Sequence, residues 1–101
     1  METYLIRFTV RPGQRERFLG LLTAVLEQMR KEKTFIDARL AQVADKPNEF
    51  VLHETWASRE DVVNVQLNRP YRRDWHAALP DLLECERDIT ILSPCWPAMS
   101  G

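Results

Sequence analysis

The feature that most restricts the fold is a change of pattern in the middle of the chain, where a strand leads directly into a helix. Large apolar and β-branched residues are concentrated from Phe50 to Trp56, which predicts a β-strand. Ser58 follows two residues later, and Asp61 stands three positions after it, so the spacing approximates a capping box at a helix start. A strand that is followed at once by a capped helix is typical of α/β and α+β architectures.

Patterns on both sides of this region complete the order of elements. The N-terminal residues alternate with period two, and the segment after Pro12-Gly13 repeats apolar side chains every three or four positions. A second strand is expected to carry Ile36, Ala38 and Leu40 on one face, and turn-forming residues then connect it to the next strand as a hairpin. We therefore expect strands over residues 3–10, 35–43, 50–56 and 88–92, and helices over residues 14–31, 58–68 and 70–82, with a kink or restart at Pro80.

The predicted order is β-α-β-β-α-β, with the second helical region broken in two. This order is that of the ferredoxin-like split βαβ arrangement, an α+β fold, and the 101 residues fit one domain over 1–101. Helices would cover one face of the sheet only. An uncovered face that carries apolar groups requires a second layer, so we expect a homodimer in which two sheets pack as a dimeric α/β barrel.

Charge and composition disfavour several classes of function. The formal net charge is −1, so no electrostatic attraction to nucleic acid or to an anionic membrane is expected. No apolar run approaches the roughly 18 residues that span a bilayer, and the first residues lack the pattern of a signal peptide. Cys85 and Cys95 form no metal-type pair, and no metal site is predicted. These observations favour a cytoplasmic protein.

The stretch from Asn48 to Arg72 resembles the antibiotic biosynthesis monooxygenase (ABM) family, which includes quinol monooxygenase-like proteins. The features that carry the resemblance are Pro47-Asn48, Phe50, Leu52, Glu54, Trp56, the acidic helix start and Pro70-Tyr71. The resemblance implies a homodimer with a pocket between helices and sheet in each subunit. Some members oxygenate phenolic or quinol compounds with molecular oxygen and without a cofactor, others degrade haem, and many have no established activity.

Glu54 is the first candidate for chemistry. It shares a strand face with Phe50, Leu52 and Trp56, and a carboxyl group among apolar neighbours should have a raised pKa. The alternative is a structural carboxylate that is paired with an arginine, and the candidates for that partner are Arg7, Arg39 and Arg72. Trp56 and Phe50 would form part of the pocket wall, although a large aromatic on such a strand can also be simple core.

A histidine that the family often carries on the short helix is absent. The expected position, nine residues after Trp56, falls on Val65, and a slip of one residue would place Gln66 there. Glutamine can orient a phenol or a water but cannot act as a base near neutral pH. His76, on the next helix, is therefore the most suitable side-chain base, since its ordinary pKa is about 6.5.

The start of the third helix supplies further pocket candidates. Tyr71 could donate a hydrogen bond to a substrate oxygen, Arg72 could hold an anionic oxygen, and Trp75 lies beside His76 on the apolar stripe of this helix. Ordinary packing and salt bridging would explain the same residues. His53 alternates with Glu54 and is expected to point toward the opposite face.

The leading hypothesis is a cofactor-independent monooxygenase that acts on a small aromatic or quinol-type compound. The catalytic candidates are His76, Glu54 and Gln66, with Trp56, Tyr71, Arg72, Phe50 and Trp75 around the substrate. The alternatives are a non-catalytic ligand-binding or stress-response protein and a dimeric-barrel isomerase. Haem degradation is disfavoured, because Ile6 and Gln66 stand where that branch of the family has asparagine and tryptophan.

Overall fold

The computed structural model describes residues 1–96, in which four strands form one sheet and the helices pack on one of its faces. The elements are, in chain order, β1 (Glu2–Thr9), α1 (Arg15–Met29), β2 (Phe35–Gln42), β3 (Glu49–Trp56), α2 (Arg59–Asn64), two 3-10 turns (Gln66–Asn68 and Pro70–Arg72), α3 (Arg73–Leu82) and β4 (Asp88–Leu92).

The sheet has the strand order β2-β3-β1-β4 and is antiparallel throughout. β1 lies in the centre, where Tyr4 pairs with Glu54 on β3 and with Ile91 on β4. The two β-α-β halves are thus interleaved, as in the ferredoxin-like split arrangement. The predicted fold class is confirmed.

A β-bulge in β2 changes which residues of that strand face the helices. Phe35 pairs with Trp56, but the pairing shifts before Asp37, so Ile36 is the extra residue. Phe35, Ala38 and Leu40 consequently pack against the core, whereas Ile36 is 47% exposed. The expectation that Ile36 shares a face with Ala38 was wrong, because strict alternation does not survive a bulge.

The helical region after β3 is shorter and more broken than its sequence pattern predicted. The Ser58 hydroxyl accepts a hydrogen bond from the Asp61 N–H at 3.1 Å, which caps α2 as expected. α2 ends at Asn64 rather than at Asn68, and tighter 3-10 turns follow. α3 continues through Pro80 to Leu82, so the expected restart at this proline is absent.

The two faces of the sheet differ in character. The face toward the helices contributes the large buried core residues, including Phe8, Leu52 and Trp56. The opposite face, here called the open face, carries smaller and polar side chains and has no helix over it in the described structure. By strand alternation its members include Thr3, Leu5, Arg7, Asp37, Arg39, Ala41, Val51, His53, Thr55, Asp88, Thr90 and Leu92. Among residues 1–96, no helix is long and apolar enough to cross a membrane.

Candidate functional site

A cavity of about 270 Å³ lies between the helix-facing side of the sheet and the helices. Its walls are largely apolar, with residues from every strand except β2 and from all three helices. We call it the Glu54 cavity, after the one carboxyl group in its wall. The side chains around it include Tyr4, Ile6, Phe8, Leu22, Met29, Leu52, Val62, Trp75, Ile89 and Ile91, together with the polar groups described below.

Glu54 projects into this cavity from the middle of β3 and is only 6% exposed. Burial raises the pKa of its carboxyl group, against the opposing effects of a hydrogen bond from Trp56 and of the charges of Arg72 and Arg87. Among the described residues Glu54 forms no salt bridge. Strand pairing places Arg7 opposite Val51 on the open face, so it cannot be the partner that a structural carboxylate would need.

Arg72 contributes a guanidinium group from the last 3-10 turn, immediately before α3. The residue is 6% exposed, and its Nε and Nη2 atoms have no hydrogen-bond partner within residues 1–96. Arg87, which lies just before β4, lines the same cavity. Burial and the like charge of Arg72 both lower the pKa of Arg87, so two guanidinium groups share a partly desolvated space.

His76 stands where the Glu54 cavity meets a second, larger groove of about 610 Å³ between α3 and β4. His76, Arg87 and Ile89 line both spaces. Burial lowers the pKa of the imidazole, and the charges of Arg87 and Arg72 lower it further. The neutral form of His76 is therefore favoured near neutral pH, and this form is able to accept a proton.

Two predicted wall residues, Trp56 and Phe50, are absent from the lining. Trp56 is fully buried, packs edge-on against Phe35 at 5.4 Å between ring centroids, and donates its indole N–H to Glu54 at 3.2 Å. Phe50 stacks on Phe18 at 5.0 Å, toward the other end of the strand. Trp75 does line the cavity, as expected. The aromatic wall thus comes from Tyr4, Phe8 and Trp75.

Gln66 and Tyr71 also lie outside the lining of the Glu54 cavity. Gln66 is 2% exposed, and its amide donates hydrogen bonds to Glu32 at 2.9 Å and to Asp61 at 3.0 Å. The amide therefore binds Glu32, just before β2, and Asp61 in α2, and it does not line the Glu54 cavity. The Tyr71 hydroxyl is buried without a hydrogen-bond partner in the described part of the chain, and burial raises its pKa.

Sequence reasoning missed three polar residues of the cavity, which are Tyr4, Arg59 and Arg87. Arg87 had a detectable signal, because it is two residues before Ile89 and four before Ile91, and both isoleucines face the cavity. Extending the alternation of β4 backward by one step would have placed the arginine there. Tyr4 lies on the same alternating face of β1 as Ile6 and Phe8, which also line the cavity.

Possible metal ligands are dispersed across the described structure. Residues 1–96 contain no group of three or more histidine, cysteine, aspartate or glutamate side chains that could hold a metal ion. Cys85 and Cys95 are both exposed and are not joined by a disulfide.

The fold and the cavity define a ferredoxin-like α+β protein with a small, mostly apolar cavity under its helices. The chain belongs to the antibiotic biosynthesis monooxygenase family, whose model matches residues 1–78. This match confirms the resemblance inferred from the residues around Glu54. Among curated proteins, no sequence matches this chain.

Solved structures of similar proteins agree with this fold. Rv0793 from Mycobacterium tuberculosis is 28% identical, with a TM-score of 0.87 over 97% of this chain and 98% of that one. SnoaB, a cofactor-independent oxygenase from Streptomyces nogalater, is 21% identical, with a TM-score of 0.81 over 95% and 94%. A conserved protein from Methanosarcina mazei is 20% identical, with a TM-score of 0.82 over 90% and 89%.

Proposed function

We propose that this protein is a cofactor-independent monooxygenase that binds a small phenol or quinol in the Glu54 cavity and uses molecular oxygen as co-substrate. The observation that carries the proposal is a buried carboxyl group, Glu54, which forms no salt bridge within residues 1–96 and lies in an apolar cavity that also contains Arg72 and His76. Membership of the family and the fold shared with the oxygenase SnoaB support it.

The chemistry requires an electron-rich substrate that becomes more so when it loses its phenolic proton. Neutral His76 is the proposed base, and the positive charge that Arg72 and Arg87 bring to the cavity would favour the phenolate that forms. The phenolate then donates one electron to oxygen, and the two radicals combine to form a C–O bond. The substrate supplies all four electrons, so one oxygen atom enters the product, which leaves as a quinone, and the other leaves as water with two hydrogens of the substrate. The apolar walls favour this step because they exclude solvent from the reacting anion.

Glu54 would serve as a hydrogen-bond acceptor that orients the substrate hydroxyl. The hydrogen bond from Trp56 holds the carboxyl group in one position. Its raised pKa is that of a group shielded from solvent. We further propose that Gln66 positions the segment after α2 and does not touch the substrate, because it lies outside the cavity lining and donates to Glu32 and Asp61.

The proposed active form is a homodimer in which the open faces of two sheets pack together. On this face Leu5 and Val51 are half-buried, and Leu92 is 39% exposed, so apolar surface is available for a second layer. Two copies would complete the dimeric α/β barrel expected for this fold.

Oxygen uptake by the purified, metal-stripped protein tests the proposal against a panel of hydroquinones, catechols and anthrones. We expect protein-dependent uptake that is lost in His76→Gln and reduced in Glu54→Gln. The matched controls are Asp74→Asn on the same helix as His76 and Glu60→Gln at an exposed position of α2, and both should retain full activity. Absence of uptake across the panel would refute a monooxygenase of this substrate class.

A non-catalytic ligand-binding protein is the second candidate. The specific observation in its favour is the position of Gln66, which stands near the place of the family's usual histidine but lies outside the cavity lining. Raised thermal stability with phenolic ligands, without any turnover, would support this reading. Turnover that persists without oxygen would instead indicate an isomerase.

A further inference from the structure

The charge of the Glu54 cavity is unusual for a site that would bind a neutral aromatic compound. Three arginines but only one carboxyl group line it, so its formal charge is +2 when the glutamate is ionised and the histidine neutral. The groups concerned are Arg59, Arg72, Arg87, Glu54 and His76. The whole chain carries −1, so positive charge is concentrated in the cavity.

Arg72 is the strongest indication that the positive charge of the cavity serves to bind an anionic group. A guanidinium group that is 6% exposed normally has its N–H groups occupied by carboxylates or carbonyls, because an unsatisfied buried donor is costly. The Nε and Nη2 atoms of Arg72 have no such partner among residues 1–96. Neighbouring acids do not take this role, since Glu54 accepts from Trp56 instead and Glu32 accepts from Arg69 and Gln66.

Arg87 strengthens the case because it brings a second like charge into the same space. Two guanidinium groups repel each other in a partly desolvated site; burial lowers the pKa of Arg87, and the charge of Arg72 lowers it further. One carboxylate, that of Glu54, offsets only part of this charge. A ligand that carries a negative charge would relieve the repulsion and would satisfy the free donors of Arg72 at the same time.

We infer that the ligand of the Glu54 cavity is an aromatic carboxylate, whose ring lies against Trp75 and whose carboxylate is held by Arg72 and Arg87. The planar guanidinium group matches a carboxylate through two parallel hydrogen bonds, which a neutral phenol cannot offer. The inference rests on the proposed function for the phenolic part of the substrate and adds the charged group to it. The volume of about 270 Å³ restricts the ligand to a small aromatic compound.

Calorimetric titration with a matched pair of ligands tests the inference. 2,5-Dihydroxybenzoate and 2,5-dihydroxybenzamide have the same ring, hydroxyl groups and size, and near neutral pH they differ in the charge of one substituent. We expect the benzoate to bind at least about tenfold more tightly, because charge-assisted hydrogen bonds are stronger than neutral ones. Equal affinity, tighter binding of the amide, or no binding of either compound would overturn the inference.

Arginine variants test whether Arg72 and Arg87 cause the preference for the benzoate over the amide. Arg72→Gln and Arg87→Gln should each lower the affinity for the benzoate by about tenfold and change that for the amide by less than about twofold. Arg17→Gln, an exposed arginine on α1 outside the cavity, is the control and should change neither affinity. If circular dichroism shows that the buried Arg72 variant does not fold, the half-buried Arg87 variant decides the question. An unchanged preference in a folded Arg87→Gln protein would then contradict the inference.

The results of these experiments distinguish the proposed carboxylate site from the proposed monooxygenase activity. A clear preference for the benzoate without oxygen uptake would support the carboxylate site and refute the monooxygenase. Oxygen uptake with neutral hydroquinones, with no preference for the benzoate, would support the monooxygenase and refute the carboxylate site.

Discussion

The indole Nε1 of Trp56 donates a hydrogen bond to Oε1 of Glu54 at 3.2 Å, between two residues on the same face of β3. Residues two apart on a strand lie side by side, so the fully buried indole fixes the carboxyl group where it enters the cavity. Trp56 therefore contacts the carboxyl group of the cavity without lining the cavity itself. This relationship determines what substitution of either residue should do.

Removing the indole N–H should change the protonation of Glu54 while leaving an aromatic in the core. Trp56→Phe is expected to lower the free energy of unfolding by about 1 kcal/mol for the lost hydrogen bond, in addition to the loss of packing. It should also raise the pKa of Glu54 further, because the bond stabilises the ionised form. Carbon-13 NMR titration of the glutamate carboxyl groups measures this pKa. Trp75→Phe is the control, and a Glu54 titration that is identical in Trp56→Phe and wild type would contradict the prediction.

The stability of the protein should depend on the ionisation of Glu54. Its folded-state pKa is raised above the ordinary 4.5, so folding favours the protonated form and stability falls as the pH rises through the range above 4.5. Glutamine cannot ionise, so the Glu54→Gln variant should not lose stability in this pH range. The melting temperature of Glu54→Gln, relative to wild type, should therefore increase between pH 4 and the folded-state pKa, as measured by scanning calorimetry. A difference that stays constant with pH would show that the carboxyl group is not destabilised by burial.

His76 should set the acidic limb of the rate profile. Its folded-state pKa lies below the ordinary 6.5, so the neutral base persists to lower pH than a free imidazole would allow. We expect kcat/KM to fall with acid at a midpoint below 6.5, and this limb should be absent from any residual activity of His76→Gln. A midpoint above 6.5 would mean that another group is the base. The same shift makes the fold less stable as the pH falls below 6.5.

Gln66 should matter for folding more than for catalysis. Gln66→Ala removes two hydrogen bonds to the carboxylates of Glu32 and Asp61, and the expected loss is about 2 kcal/mol of stability. Measured well below the melting temperature, kcat should remain close to the wild-type value. If Gln66→Ala is fully folded but inactive, the result would support the catalytic role that the position of Gln66 in the sequence suggested.

The open face of the sheet should control assembly. Leu5 lies in its centre, between His53 and Thr90 on the neighbouring strands. Leu5→Asp should shift the mass measured by light scattering from two chains to one, because a charge would be buried between the two sheets. Val65→Asp, at an exposed apolar position away from this face, is the control. A wild-type protein that has the mass of a single chain would refute the dimer.

Much of the site could be located from the sequence because strand alternation is local. The shared face of Glu54 and Leu52 follows from period two, and so does the opposite direction of His53. The positions of His76 and Trp75 followed from helical periodicity in the same way. Simple periodicity did not predict the exposure of Ile36, because a bulge shifts the register there. It also did not predict the end of α2, where tight turns replace the helix.

By itself, the sequence determined the order of the elements and the fold class, because these depend on periodicity and capping along the chain, and its resemblance to known proteins around Glu54 indicated the family. Only the tertiary structure decided which polar groups share a space. It brought Arg87, from the approach to the last strand, into the same cavity as Arg72, and it placed Glu32 within hydrogen-bond distance of Gln66. These neighbours are set by strand pairing and helix packing between distant segments, and no local pattern records the distance between two such side chains.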